Sequence, residues 1–160
     1  MTGDSTLLPI LITDDESEDR FFLQKALRKA GVKNPILEFS DGADLLQFLD
    51  GRVEEQKSAK EIAELLFLDL KMPLVDGFDA MRSIRDNPAL KLLRIVIVSS
   101  SSLPRDQERA SEFGVAEYLE KYPTAQILAR ILAESGGPRD QVEASTGRRS
   151  GVDGTLIFAG

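Results

Sequence analysis

The sequence contains no histidine and no cysteine, and these two absences remove much of the usual chemistry of protein sites. Without histidine the chain can form neither a Ser-His-Asp triad nor a typical zinc-enzyme site, and it cannot carry a phosphohistidine itself. Without cysteine there are no disulfides and no thiolate ligands, which is compatible with a reducing compartment. A metal ion bound by this chain would have oxygen ligands, which favours Mg²⁺, Mn²⁺ or Ca²⁺.

Long apolar segments and a surplus of positive charge are also missing. No run approaches the roughly 18 apolar residues of a membrane span, and the N-terminus lacks the basic and apolar stretches of a signal peptide. We therefore expect a soluble, cytoplasmic protein. The formal net charge is -7 and the pI is near 4.7, whereas binding to nucleic acid needs clustered Lys and Arg. The expected partners are proteins, with no nucleic acid and no membrane.

Strand-like and helix-like segments alternate five times along the chain. Apolar runs predict strands at residues 10–12, 35–40, 65–70, 95–98 and 116–120. An amphipathic helix follows each run, and these helices are predicted to end at Gly31, at Gly51, before Pro88, at Gly114 and beyond residue 132. This alternation predicts a doubly wound α/β fold, a five-stranded parallel sheet with five helices. Periodicity alone does not give the order of the strands.

The length of 160 residues suits one domain with a tail. We predict an N-terminal lead (1–7), a domain (8–134) and a C-terminal tail (135–160) rich in Gly, Pro, Ser and charge. Within the domain, the highly charged segment 52–64 is predicted to be an exposed, partly helical insertion. The apolar residues 155–159 could dock on the domain, add to a sheet edge or form a flexible end.

Polar residues stand at the ends of four of the predicted strands. Asp14 and Asp15 follow the first, Asp69 the third, Ser99 the fourth and Lys121 the fifth. The carboxyl ends of parallel strands share one edge of a sheet, where ligands bind in open α/β folds. We therefore expect these side chains to converge. Three carboxylates, a hydroxyl and an ammonium suit a hard divalent cation and a phosphoryl group.

Each of these residues also has a purely structural interpretation. Asp14 and Asp15 could cap the first helix, and Asp69 could cap a loop. Ser99 could be an ordinary serine at a strand end, and Lys121 could be a solvated surface lysine. Three converging carboxylates repel one another unless a cation neutralises them, however. The order of these residues and their places on the elements favour a functional site.

The spacing of these residues resembles the receiver domain of two-component response regulators, which has the CheY-like, flavodoxin-like fold. Asp69 is followed by Met72-Pro73 and Asp76-Gly77, Ser99 lies thirty residues after Asp69, and Lys121 lies a further twenty-two residues on. The resemblance covers the whole predicted domain.

The resemblance implies that Asp69 is the phosphoacceptor of a Mg-dependent reaction. Ser99 and Lys121 would contact phosphoryl oxygens, and Ser99 with Tyr118 would form a conformational switch. Tyr118 is explained almost equally well as an aromatic residue of an edge strand.

The resemblance also implies a metal site for Mg²⁺, with Mn²⁺ as a second choice. Its ligands would be the side chains of Asp14, Asp15 and Asp69 and the backbone carbonyl of Lys71. No other cofactor is expected.

The implied function is signalling, with no enzymatic activity beyond self-catalysed phosphotransfer and dephosphorylation. The phosphoryl group would come from a partner histidine kinase. No output domain is expected after residue 134, so the output would be contact with a downstream protein, relay of the phosphoryl group, or competition for the kinase. Homodimerisation is also compatible with the family. Segment 52–64, Asn87-Pro88 and the Lys-x-Pro arrangement most resemble single-domain receivers that pair with phytochrome-type kinases, which suggests bacteriophytochrome light signalling.

The sequence departs from the family pattern at two positions. Ser99 replaces the common threonine and keeps the hydroxyl. Tyr122 separates Lys121 from Pro123, so a cis peptide after Lys121 would form without the help of proline.

Two other functions remain open. The first is a receiver-like scaffold that takes no phosphate. The second is a phosphohydrolase of the haloacid-dehalogenase type, in which a second acid stands two residues after the nucleophile. Lys71 holds that position here, which favours the receiver.

Overall fold

The computed structural model describes residues 7–136 of the chain. Five strands and six helices follow one another in the order β1 (Ile10–Thr13), α1 (Ser17–Lys29), β2 (Ile36–Phe39), α2 (Gly42–Glu54), α3 (Ala59–Ile62), β3 (Leu65–Leu68), α4 (Gly77–Asp86), β4 (Ile95–Ser99), α5 (Pro104–Ser111), β5 (Glu117–Glu120) and α6 (Ala125–Gly136). The chain divides into two compact units, Met1–Leu128 and Ala129–Gly160. The described part of the second unit is the end of α6.

The five strands form one parallel sheet in the order β2-β1-β3-β4-β5. The predicted α/β fold is therefore confirmed, and the structure adds the strand order. Thr13 is paired with Leu68, so the residues that follow β1 and β3 emerge side by side. Ser99 is paired with Glu120, which brings the end of β4 beside the residue that follows β5.

The central strands β1, β3 and β4 are buried at every residue, as expected for parallel strands covered on both faces. Alternate residues contribute to one apolar cluster together with buried residues of α2, α3 and α4. The intervening strand residues are also buried, and so are Leu23 and Leu27 of α1. The core therefore fixes the strands whose ends carry the polar residues.

The structure corrects the prediction for segment 52–64. The second helix does not end at Gly51 but continues to Glu54, and the segment that was predicted to be partly helical contains a sixth, short helix, α3. The Glu61 side chain caps the start of α3, because its Oε1 accepts from the backbone N–H of Ser58 at 2.8 Å and from the Ser58 hydroxyl at 3.2 Å. Ala59 and Ile62 are buried, so the predicted exposure of this segment is wrong at these residues.

Other predicted boundaries agree to within a few residues. The chain leaves α1 through Gly31, whose φ of 98° confirms the predicted left-handed end. The helix predicted to reach Gly114 ends earlier, at Ser111, and Gly114 has a φ of 70°. Most of the predicted lead and tail, residues 1–6 and 137–160, lies outside the described residues, and with it the apolar segment 155–159.

Between residues 7 and 136, no helix is both long enough and apolar enough to cross a membrane.

Candidate functional site

Three aspartates converge at the carboxyl edge of the sheet. Asp14 and Asp15 follow β1 and Asp69 follows β3, and each places a carboxylate oxygen within 4.8 Å of the others. Asp14 and Asp69 are buried, whereas Asp15 is exposed. The backbone N–H of Asp69 donates to the carbonyl of Thr13 at 3.0 Å, which continues the strand pairing up to the site. The predicted convergence of these three residues is thus present.

The environment of Asp69 disfavours its charge. Burial and, after it, the neighbouring Asp14 carboxylate together raise the pKa of Asp69 to about 7, although Lys121 opposes the shift. A divalent cation would relieve this repulsion, and the available ligands are hard oxygen donors. The residues present therefore fit Mg²⁺ or Mn²⁺.

Lys121 brings an ammonium group to these acids from the end of β5. Its Nζ lies 2.8 Å from Asp14 Oδ2, 2.6 Å from Asp19 Oδ2 and 3.8 Å from Asp69 Oδ2. Burial by itself lowers the pKa of Lys121, but the hydrogen bonds to Asp14 and Asp19 raise it above its ordinary value. The ammonium is therefore charged at neutral pH.

Asp19 is a site residue that the sequence analysis missed. It lies in the first turn of α1, where an acidic residue complements the helix dipole. Its Oδ1 accepts a hydrogen bond of 2.8 Å from the hydroxyl of Tyr122. Burial raises the pKa of Asp19, but the hydrogen bonds from Lys121 and Tyr122 outweigh it and leave the pKa below its usual value. The peptide bond between Lys121 and Tyr122 is cis.

Arg20, the next residue of α1, was also missed. Its Nη1 donates to the backbone carbonyl of Asp14 at 2.7 Å, and its Nε donates to Glu38 at 2.9 Å. The Asp14 side chain in turn accepts from the backbone N–H of Glu16 at 2.9 Å. The start of α1 thereby fixes both the backbone and the carboxylate of Asp14.

Ser99 and Tyr118 both contact Ser101, in the loop after β4. Ser99 is fully buried, and its Oγ accepts from the backbone N–H of Ser101 at 3.1 Å. The Tyr118 hydroxyl donates to the Ser101 carbonyl at 2.9 Å. The Ser101 hydroxyl donates to Asp106 Oδ2 of α5 at 2.6 Å. One short segment therefore links the two predicted switch residues.

The loop after Asp69 returns close to the strand that it leaves. The backbone N–H of Gly77, at the start of α4, donates to the carbonyl of Leu70 at 2.9 Å. A Cβ at Gly77 would overlap the backbone carbonyl oxygen of Asp69. Glycine is therefore required at this position to hold the Asp69 backbone in place.

These residues surround an open cavity of about 470 Å³. Its lining consists of five acidic residues, two lysines, a serine and a tyrosine: Asp15, Glu16, Asp19, Asp69, Glu120, Lys71, Lys121, Ser100 and Tyr122. Lys71 lines this cavity, whereas Ser99 and Tyr118 are not among its lining residues. Such a site can take a cation and a small anion together.

Comparisons with known proteins agree with this geometry. Residues 10–132 match the family model described as the response regulator receiver domain. The chain is 34% identical over 125 residues to the transcriptional regulatory protein GltR of Pseudomonas aeruginosa, covering 78% of this chain and 47% of that protein. It is 29% identical over 123 residues to the response regulator Rcp1 of Synechocystis, covering 77% and 82%. The match to the sensor histidine kinase CheAY of Helicobacter pylori, 28% identical, spans 79% of this chain but only 15% of that protein.

Solved structures give the same result. The Mn²⁺-bound form of Rcp1 matches with a TM-score of 0.65 and 25% identity, covering 79% of this chain and 92% of that one. The bacteriophytochrome response regulator AtBRR matches with a TM-score of 0.68 and 26% identity, covering 81% and 93%. The chain belongs to the response regulator receiver domain family.

Proposed function

We propose that the protein is a response regulator that accepts a phosphoryl group on Asp69 from a partner histidine kinase. One observation carries this proposal: a buried carboxylate, Asp69, lies among two further carboxylates and 3.8 Å from a buried ammonium, Lys121. Receiver domains are signalling modules, and no hydrolase arrangement is needed to explain these residues. The position two residues after Asp69 holds Lys71 and not a second acid.

In the proposed reaction a carboxylate oxygen of Asp69 attacks the phosphorus of the partner's phosphohistidine. The new O–P bond forms as the P–N bond breaks, and the imidazole nitrogen keeps the electron pair. Lys121 supplies positive charge beside the oxygen that is phosphorylated, and Ser99 supplies a hydroxyl.

Metal binding completes the proposed site. Asp14, Asp15, Asp69 and the backbone carbonyl of Lys71 would hold Mg²⁺ or Mn²⁺. When bound, the cation supplies positive charge that offsets the carboxylates and the phosphoryl oxygens. The related Rcp1 structure is a Mn²⁺-bound form, which supports this assignment.

We further propose that Ser99 and Tyr118 transmit phosphorylation to the surface. Phosphorylation adds roughly 1.5 to 2 negative charges and new hydrogen-bond acceptors. A Ser99 hydroxyl that turns to a phosphoryl oxygen has to leave the backbone N–H of Ser101, and the same residue holds the Tyr118 hydroxyl. The loop and Tyr118 would then move together and change the surface that a downstream protein contacts.

We also propose partners for this protein. Bacteriophytochrome response regulators are among the similar solved structures, and this supports a kinase of the phytochrome type. A downstream protein or phosphotransfer partner, a homodimer and a cytoplasmic location are consistent with the receiver family.

The decisive experiment is labelling with phosphoramidate, a small phosphodonor, in the presence of Mg²⁺. The wild type should be phosphorylated on one residue, and the chelator EDTA should prevent this. Asp69→Asn should give no labelling, whereas Asp86→Asn, which changes an exposed aspartate at the end of α4, should behave as the wild type. Stoichiometric labelling of Asp69→Asn would contradict the assignment. Sustained hydrolysis of p-nitrophenyl phosphate would support the hydrolase instead.

The kinase assignment needs a separate test. Phosphotransfer should be profiled from each histidine kinase of the source organism, with Asp69→Asn as the control. A phytochrome-type kinase is expected to transfer fastest.

A further inference from the structure

Asp19 holds the Lys121 ammonium more closely than the proposed phosphoacceptor does. The Nζ atom is 2.6 Å from Asp19 and 3.8 Å from Asp69. The side chains of Asp19 and Lys121 are only 13% and 9% exposed. Such a pair is poorly screened by water, so its loss or gain has a larger effect than that of an ordinary surface ion pair.

The second oxygen of Asp19 connects this buried pair to an exposed aromatic surface. The hydroxyl of Tyr122 donates to Asp19 Oδ1, and its ring packs edge-to-face on Phe22 with centroids 5.4 Å apart. Phe22 and Tyr122 are both exposed. One carboxylate therefore joins the active-site ammonium to a tyrosine that faces solvent.

We propose that Asp19 is a positioning residue that holds Lys121 back from Asp69 in the resting state, and that a phosphoryl group on Asp69 draws Lys121 away from Asp19 and changes the environment of Tyr122. This inference rests on the proposed function, because it concerns the lysine of the same site.

The physical reason is competition for the position of one ammonium group, which lies 2.6 Å from Asp19 but 3.8 Å from Asp69. Lys121 has three donors, and in the structure it contacts Asp14 and Asp19. A phosphoryl group on Asp69 presents new anionic oxygens to the same ammonium. The contact between Asp19 and Lys121 opposes binding of the phosphoryl group. By linkage, the bound phosphoryl group weakens that contact.

Beryllium trifluoride with Mg²⁺ serves as the phosphoryl mimic, and tyrosine labelled with ¹³C at Cζ provides the spectroscopic signal. The chain contains two tyrosines, so only two signals are expected, and the variant Tyr118→Phe assigns them. In the wild type the Tyr122 signal should shift when beryllium trifluoride binds. In Asp19→Asn it should be shifted already and move little on binding.

The same variant should bind the mimic more tightly. We expect the dissociation constant of beryllium trifluoride, measured by calorimetry at saturating Mg²⁺, to fall about 5-fold in Asp19→Asn, the lower end of typical coupling between two sites. Glu16→Gln is the matched control, because it removes one negative charge from the lining of the same cavity. It should change the constant by less than about twofold. Thermal melting should show both variants folded.

Three outcomes would overturn the inference. The Tyr122 signal of the wild type could stay unchanged when the mimic binds, or Asp19→Asn could bind the mimic no more tightly than Glu16→Gln. In both cases the proposed function would stand, because the wild type still binds the mimic. If the wild type does not bind the mimic in the presence of Mg²⁺, the proposed function is overturned together with the inference.

Discussion

Arg85 lies at the end of α4, near the amino edge of the sheet, whereas Asp69 lies at the carboxyl edge. The charge of Arg85 is surrounded by hydrogen-bond partners, whereas the charge of Asp69 lies beside like charges. The Arg85 guanidinium donates to four backbone carbonyls in the loops before β4 and β5, at 2.6 to 3.3 Å: those of Lys91, Leu93, Phe113 and Gly114. Asp69 has two carboxylates beside it and shares its nearest cation, Lys121, with Asp14 and Asp19.

This difference between the two charged groups distinguishes a residue that stabilises the fold from a residue that serves the proposed function. A charge that the chain itself surrounds with hydrogen-bond partners joins loops and stabilises the fold. A cluster of like charges without enough opposite charge costs stability and is relieved only by something from outside the chain. The four predictions below test this contrast between the two edges, from the largest expected effect to the smallest.

Removing the guanidinium at the amino edge should cause the largest loss. Arg85→Ala leaves four carbonyls without their donor, and we expect the free energy of unfolding to fall by about 3 kcal/mol in urea denaturation. Arg82→Ala, in the same helix, removes an exposed arginine that lies 3.6 Å from Asp79, and should cost less than about 0.5 kcal/mol. Equal losses in the two variants would contradict the role assigned to Arg85.

Mg²⁺ should stabilise the protein through the carboxyl edge. At a Mg²⁺ concentration of one hundred times its dissociation constant, the free energy of unfolding should rise by about 2.7 kcal/mol relative to EDTA. Arg85→Ala should keep this increase, because its change lies at the other edge, whereas Asp14→Asn should lose most of it. A similar increase in Asp14→Asn would place the cation elsewhere.

Neutralising Asp69 should stabilise the protein when no metal is present. The pKa of Asp69 is about 7 in the fold, compared with 3.8 for an ordinary aspartate, so from about pH 4 to 7 the folded state retains a proton that the unfolded state has lost. The stability of the wild type therefore falls as pH rises through this range.

Asp69→Asn does not show this fall. In EDTA at pH 8 we expect the variant to be about 2 kcal/mol more stable than the wild type, less than the full pKa difference implies because water reaches the open site. At pH 4 the two should be nearly equal. Urea denaturation at both values of pH measures this, and a destabilised variant at pH 8 would show that Asp69 is adequately neutralised by Lys121.

The smallest expected effect concerns an uncharged group at the carboxyl edge. Thr13 is buried beside Asp14, and its hydroxyl has no hydrogen-bond partner. Thr13→Val replaces the hydroxyl with a methyl group of similar size and should raise the free energy of unfolding by about 1 kcal/mol. Thr124→Val is the control. The Thr124 hydroxyl accepts a hydrogen bond from the backbone N–H of Ile127, so its removal should lower the free energy of unfolding. Opposite signs for the two variants are expected, and a loss in both would indicate that Thr13 is satisfied.

The main part of the site could be predicted because parallel topology turns strand ends into neighbours. Asp14, Asp15, Asp69 and Lys121 each directly follow a strand, and the sheet needed only to form for them to meet. Asp19 could not be found in this way, because it is on a helix. An acidic residue in the first turn has a sufficient local explanation in the helix dipole, and its contact with Lys121 depends on how α1 is placed.

The same difference between local sequence pattern and tertiary contacts explains the errors in the predicted fold. Gly51 was interpreted as a helix end, but its φ is not positive and the helix continues through it, so local preference did not decide the boundary. The signal for α3 was present as Ser58 and Glu61 at capping-box spacing, but the charged residues around it concealed the buried Ala59 and Ile62. Strand order depends on contacts between distant segments, which periodicity does not contain.

The contact between Lys121 and Asp19 joins residues 102 positions apart in the chain. Closing so long a loop is entropically costly, and contacts of this kind are expected to form late in folding. A chain still leaving the ribosome, with its fifth strand not yet added to the sheet, would therefore present the acids without their lysine. The proposed uptake of a phosphoryl group on Asp69 would then become possible only when the last strand joins the sheet.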